Sequence, residues 1–530
     1  MLPFPRLLPL VLVSLVHAQP LWSADAAAAS APLGSPKYLP SPDRPVGWRG
    51  DGTGRYPAAT PPTAWGRKHA GSGYETKNIL WATPLPNGGV SNPIIVGNRI
   101  YLTCEPTDVV CLDKASGQVL WIRSNLECEG LSEEERKASP AFAEKIAPLL
   151  PQLAKANADL VAAINGRQAA AAAAAYQPVP GMDTKRELEK QILDQQLAID
   201  KKRFERYWAQ AVFGFAGQTA VSDGRKVCAF FTTGISACYD LDGNRKWIAR
   251  GSGGGSEHGN FASPLICANQ FVVWANEMRG YDIESGKLLW ANPAKANNSY
   301  GSMFRMQVAG EWVAAFQSGF FTRLKDGKAI WGDNIFGDSV ATPIVEGGVL
   351  FATIGYPRNS EGLGLHAFKV PTSIEARPAS AYTVKVEWAA DEIPVVEKKS
   401  PFDRGYVASP LFVDGLLYQV TQGGGLSVND ASNGNQVYHK VLPMKPKTEY
   451  WGWAGASSSP TLAGKYIYLM DNQGTTVVIQ PGAAYKEVQL NLIEESKDGK
   501  SQEQNVATPV FEGTRMYYRT PNYLYCIGEK

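Results

Sequence analysis

One pattern recurs along this chain, and it limits what the chain can fold into. CLDKASGQVLW ends at Trp121, CYDLDGNRKW at Trp247 and GYDIESGKLLW at Trp290. Degenerate copies follow, RLKDGKAIW ending at Trp331 and VNDASNGNQVY ending at Tyr438. Each copy reads as an apolar strand with a small residue, a turn rich in Asp and Gly, and then an aromatic. Asp and Gly suit a tight turn between antiparallel strands. The aromatic can fold back over the small residue and pack between neighbouring sheets.

A second marker precedes each copy. SNPIIVGNRIYLT, ASPLICANQFVVWA, ATPIVEGGVLFATI, ASPLFVDGLLYQV, SSPTLAGKYIYLM and ATPVFEGTRMYYR share one form. A Ser, Thr or Asn before Pro opens a short apolar strand, a turn follows, then a second strand. TAVSDGRKVCAFF and MQVAGEWVAAFQS are variants without the Pro. Pro is tolerated at a strand's first residue, where the ladder needs no donor. The two markers define units of four short strands, most of them roughly 40 to 50 residues apart, the period of a β-propeller blade. Units begin near Ser91, Gly217, Asn260, Gly301, Ser339, Tyr406, Ser457 and Asn505. The expected fold is an all-β, eight-bladed propeller of WD40-like architecture.

The last unit carries NYLYCI but no closing aromatic, while TKNILWATPL around Trp81 carries the aromatic without a front half. Joining Cys526, Ile527 and Gly528 to Asn78, Ile79, Leu80 and Trp81 completes one motif. The ring is therefore expected to close by sharing its last blade between the two ends of the repeat region, which leaves no loose sheet edge.

The remaining segments divide as follows. Residues 1–18 read as a signal peptide: one positive charge, a short apolar run and small residues at the cleavage positions, well below the roughly 20 apolar residues of a membrane span. Residues 19–45 are Ala, Ser and Pro rich and read as a disordered linker. Residues 46–125 hold the closing strand and blade 1, and 214–530 hold blades 2 to 8. Residues 126–213 break the period. They are rich in Ala, Leu, Glu, Lys and Gln, which favour helix, with Phe142, Ile146, Leu149, Leu153, Leu160 and Ile164 near one face. Leu188, Ile192, Ile199 and Tyr207 form a partner stripe. We expect a helical hairpin inserted between blades 1 and 2, as a lid, a partner-docking arm or a decoration on the rim, and dispensable for the ring.

These motifs resemble the PQQ-like, quinoprotein-type propeller repeat found in BamB-like proteins and quinoprotein alcohol dehydrogenases. The likeness is closest to secreted repeat proteins of Planctomycetes and Verrucomicrobia, through GWRGDGTGRYP, KNILWATPLP, GISACYDLDGNRKW and YLYCIG. The resemblance implies the fold far more strongly than a function. It also raises PQQ as a cofactor, yet the chain has no adjacent Cys pair, no Ca²⁺-binding Glu/Asn/Asp set matching those enzymes, and no CxxCH haem site. We therefore expect no bound PQQ.

Net charge is +2, which gives no global case for nucleic acid, and no run after the leader is long enough to span a membrane. With five histidines and no H-x-H or HExxH pattern, no metal site is expected. The seven cysteines form no dense disulfide framework. Cys104 and Cys111 can bridge across a hairpin, whereas Cys111, Cys238 and Cys526 sit in the small-residue slot as packing. The loops before each Ser/Thr-Pro marker enter the channel mouth. Aligned blade by blade, they bring His258, Arg404 and Tyr406 forward as candidate catalytic residues and Asn260, Asp338, Trp453, Glu503 and Asn505 as candidate ligand contacts. Such a funnel suits a sugar or acidic glycan. Three readings stand at this point: an exported, secreted or periplasmic, binding or scaffold propeller whose partner is a protein or glycan; a carbohydrate-active lyase or hydrolase; and a PQQ-dependent dehydrogenase.

Overall fold

Antiparallel meanders account for nearly every strand. The structure, a computed structural model, describes residues 31–174, 177–204, 214–253, 261–293, 301–317, 319–331, 336, 340–354, 364–375, 407–446, 455–495 and 506–529. These form eight sheets. Blade 1, for example, runs Ile94–Val96, Arg99–Cys104, Asp108–Asp113 and Val119–Ser124, each strand pairing with the next. Seven sheets have four strands or more. The eighth, Ile344–Glu346, Val349–Ile354 and Gly364–Lys369, has three. The expectation of eight complete blades is thus corrected to seven complete ones. The stretch that would supply blade 5 with a fourth strand lies outside the described residues.

The repeat explains how blades stack. The small residue and the aromatic pair in register across each outer hairpin: Cys111 with Trp121, Gly280 with Trp290, Val428 with Tyr438. The Trp then lies over the turn glycine of the following blade. A Cβ on Gly117, Gly243, Gly286 or Gly327 would stand 2.5–2.7 Å from the ring of Trp81, Trp121, Trp247 or Trp290. All four glycines have φ between +70° and +84°, so both backbone and space demand glycine. Trp81 and Trp247 also donate their indole N–H to carbonyls of that next blade, Ala115 at 3.1 Å and Ile283 at 2.9 Å.

The ring closes as expected. Strand Ile79–Pro84 pairs antiparallel with Tyr523–Ile527, Trp81 opposite Cys526, and the Gly528 N–H donates to the Asn78 carbonyl at 3.0 Å.

Three features differ from expectation. Residues 31–45 are not a loose linker: Ala31 and Tyr38 are buried, and the Tyr38 hydroxyl donates to the Arg44 carbonyl at 2.9 Å. Blade 7 has seven strands, because Arg55–Tyr56 pairs parallel with its innermost strand, Thr461–Ala463. The hairpin Gly66–Ala70 and Gly73–Lys77 extends its outer edge at Glu487–Ile493. Cys104 and Cys111 are both free, since they stand opposite Asp108 and Tyr101 rather than each other. The disulfide instead joins Cys228 to Cys238, which face each other across one antiparallel pair. Cys238 is therefore cross-linked as well as packed.

The insertion contains α1 (Leu150–Ala171) and α2 (Met182–Ile199). It is neither a free arm nor a lid. Leu160 and Ile164 join the core formed by blades 8, 1 and 7, while Ile146, Leu153 and Ile192 pack with Leu126 and Cys128. Asn165 bonds the Val119 backbone in both directions, at 2.8 and 2.9 Å. Lys185, 1% exposed, reaches Asp108 of blade 1 at 2.7 Å and also pairs with Glu189. Past the end of α1, the Ala172 and Ala174 carbonyls accept from Arg67 at 2.8 and 2.7 Å, and the Ala173 carbonyl accepts from the Tyr74 N–H at 2.8 Å. The insertion and the 66–77 hairpin together strap the outside of the closing seam. No helix among the described residues is long and apolar enough to cross a membrane.

Candidate functional site

The Ser, Thr or Asn of each strand-opening marker faces the central channel and ties its blade to the next. The Asn92 N–H donates to Thr219 Oγ1 at 3.0 Å, Thr219 to Ser263 Oγ at 3.0 Å, Ser302 to Thr342 Oγ1 at 2.7 Å and Thr342 to Ser409 Oγ at 2.9 Å. Ser409 donates to Ser459 Oγ at 3.0 Å, Ser459 to Thr508 Oγ1 at 3.3 Å, and Thr508 back to Asn92 Oδ1 at 2.9 Å. Between blades 3 and 4 the link changes, and the Met303 N–H meets the Ser263 carbonyl at 3.4 Å. This girdle visits every sheet once. Outside blade 3, each member's backbone N–H would otherwise point at the next blade without a partner, and a short hydroxyl fits where blades converge. The Pro that follows in six blades has no N–H to leave unsatisfied.

The girdle borders a cavity of about 150 Å³. Above it is an apolar collar that includes Val90, Phe261, Val340, Val407 and Val506, and Trp48 also lines it. Trp48 comes from GWRGDGTGRYP, which occupies one end of the channel. Its neighbour Arg49, fully buried with φ +54°, donates to the carbonyls of Pro410 and Pro460 at 3.0 and 2.8 Å. Those are the marker prolines of blades 6 and 7. Gly54 (φ +72°) lies so close that a Cβ would stand 2.4 Å from the guanidinium, which explains the glycine spacing of this motif. Burial lowers Arg49 to about 10, so it stays cationic at neutral pH. On the far side of Trp48 is a second cavity of about 150 Å³, lined by this loop and by strands of blades 2 to 6. At its rim Arg55 pairs with Glu346 at 2.6 Å.

The residues singled out from sequence, His258, Asn260, Asp338, Arg404, Tyr406, Trp453, Glu503 and Asn505, all lie outside the described residues. Their neighbours on the channel wall, such as Phe261, Val340, Val407 and Val506, are described and border the channel cavity. Sequence reasoning missed Trp48, Arg49 and the girdle's inter-blade role. The available signal was the Ser/Thr/Asn at a fixed place in eight units. Cys104, Cys111 and Cys526 are no nucleophiles: burial pushes their thiols up to about 11, 12 and 12, which keeps them protonated.

Residues 380–529 match the protein family described as outer membrane protein assembly factor BamB. Among solved structures, a quinohemoprotein alcohol dehydrogenase from Comamonas testosteroni aligns with a TM-score of 0.50 at 12% identity, over 85% of this chain and 77% of that one. The fold is a β-propeller of PQQ-like repeats. BamB from Moraxella catarrhalis aligns at TM-score 0.41 and 13% identity, over 58% of this chain and 81% of its own. A europium-containing methanol dehydrogenase aligns at 0.45 and 11%, over 85% and 93%. At these identities the likeness is one of fold. A search among curated proteins finds no match.

The fold raises the question of PQQ, a rigid tricyclic tricarboxylate. Pockets for ligands of that size run to roughly 300 Å³ and more, twice the described channel cavity. The cavity bordered by the described residues is by itself too small for PQQ.

Proposed function

We propose that this chain is an exported PQQ-like propeller that works as a binding or scaffold module without PQQ. Its ligand or protein partner engages the channel mouth bordered by the loops of His258, Asn260, Asp338, Arg404, Tyr406, Trp453, Glu503 and Asn505. One observation supports this most: Trp48 and Arg49 fill one end of the channel, so ligands approach from the other.

The test begins with a glycan array and with affinity capture by the purified full chain. For a ligand so found, Arg404→Ala should weaken binding about ten- to a hundredfold, the loss of one charge-assisted hydrogen bond, with the melting curve unchanged. Unaltered affinity in that variant would place the site elsewhere. Tyr406→Phe should leave binding intact. Loss of turnover on a bound glycan in Tyr406→Phe would replace the scaffold reading with a lyase or hydrolase. Added PQQ with Ca²⁺ should leave the protein's absorbance spectrum free of a retained quinone band after desalting.

A further inference from the structure

The channel presents more hydrogen-bond donors than the protein itself uses. Thr219, Ser263, Thr342, Ser409, Ser459 and Thr508 each accept a backbone N–H through the side-chain oxygen. A hydroxyl used as an acceptor keeps its own proton to donate. Asn92 adds a sharper signal. Its Oδ1 accepts from Thr508, while its Nδ2, in a side chain 4% exposed, has no partner among the described residues. Native proteins rarely leave a buried amide donor empty, and this one borders the cavity.

Charge points the same way. Arg49 is fully buried and donates to two carbonyls. Arg519, also fully buried, donates to the carbonyls of Ser91 and Thr103 and to the Ser91 hydroxyl, next to Asn92. Neither guanidinium has an ion-pair partner among the described residues. Two buried cations therefore flank a ring of neutral donors with no carboxylate in its described lining. Carboxylates do act on these cations, Asp51 on Arg49 and Glu105 on Arg519, but neither carboxylate borders the girdle cavity. An anion there draws on convergent donors and on the two guanidiniums, which a neutral sugar does not.

We infer that the girdle binds a carboxylate group, belonging to a small ligand or to the tip of a larger one, with the ligand's apolar part against the valine-rich collar. A cavity of about 150 Å³ suits a short aliphatic acid. This rests on the channel being the binding site, and it names the anchoring group.

Calorimetric titration of the full chain with sodium propionate, and separately with glucose, at fixed ionic strength tests it. Saturable propionate binding with a Kd near or below about 1 mM and no glucose binding is the expected result. Asn92→Asp keeps the oxygen that accepts from Thr508 and replaces the donor with negative charge, so affinity should fall about ten- to a hundredfold. Should that variant not fold, Asn92→Thr, a residue type the girdle already uses at Thr219 and Thr342, should show a severalfold loss. Absence of saturable propionate binding overturns the inference, as does binding that the folded Asn92 variant leaves unchanged. Glucose binding without propionate binding overturns the carboxylate while sparing the channel reading.

Discussion

Single residues make this repeat legible, and the turn glycine under each Trp is the clearest case. Gly243 has φ +84° and a Cβ there would lie 2.7 Å from Trp121, whereas Gly310 has φ +80° and nothing within 4 Å. Gly243→Ala should therefore cost both left-handed backbone strain and overpacking, about 2–4 kcal/mol together. Gly310→Ala should cost only the strain, about 1 kcal/mol. Denaturant melts of the pair separate the two effects, and equal losses would refute the Trp contact as a constraint. Asp471 carries a pH dependence. It is fully buried and accepts the N–H groups of Gln473, Thr475 and Lys445, yet burial outweighs them and pushes its carboxyl up to about 6. The folded state thus holds a proton that the unfolded state releases near pH 4. Its stabilising contribution is full below about pH 4 and lost as pH rises through about 6, by about 3 kcal/mol. Asp471→Asn should flatten that part of the stability profile. An unchanged pH slope would show the carboxyl to be ionised throughout.

At the level of elements, periodicity revealed what the insertion is but not what it covers. The stripe through Ile146, Leu153, Leu160 and Ile164 is buried as spaced. A 3.6-residue period identifies a face, and says nothing about which blades that face meets. Ile199, placed in the partner stripe, is 53% exposed because α2 ends there. The expectation that the hairpin is dispensable reverses once Lys185 is seen inside the core. Replacing residues 127–206 by a short Gly/Ser loop would leave Asp108, itself fully buried, without its cation. It would also uncover the outer strands of blades 8 and 1. The excised protein should lose its cooperative melt. Lys185→Met alone should cost about 3–5 kcal/mol by stranding buried carboxylates. An excised variant that melts at the full-length temperature would contradict both. The girdle was half legible: the Ser, Thr or Asn stood out as a strand opener, but its bond goes to a residue one repeat away in most blades, and local pattern carries no such information. The role of Arg49 was illegible, since its partners are carbonyls any residue supplies.

For the whole molecule, the split motif at Trp81 and Cys526 was the most informative reading, because closure demands a partner for every edge and only one segment of the chain matched. A variant lacking residues through Leu85 loses the strand opposite Tyr523–Ile527, the Trp over Gly117 and the Arg49 loop at once. It should show no cooperative transition. Trp81→Ala, which spares the rest, should cost about 3–5 kcal/mol. Circular dichroism melts decide it, and a truncated protein as stable as the parent would end the closure account. The candidate mouth residues, by contrast, rest on alignment of the repeats alone. The girdle has a last consequence, mechanical rather than chemical. Its seven hydroxyl and amide links all point the same way round, each blade except blade 3 donating to its successor until Thr508 returns to Asn92. Such an arrangement behaves as a belt with one buckle: a radial pull on any blade is shared along the seven side-chain links, and the junction of blades 3 and 4, held by a single backbone bond at 3.4 Å, is where the circle would open first.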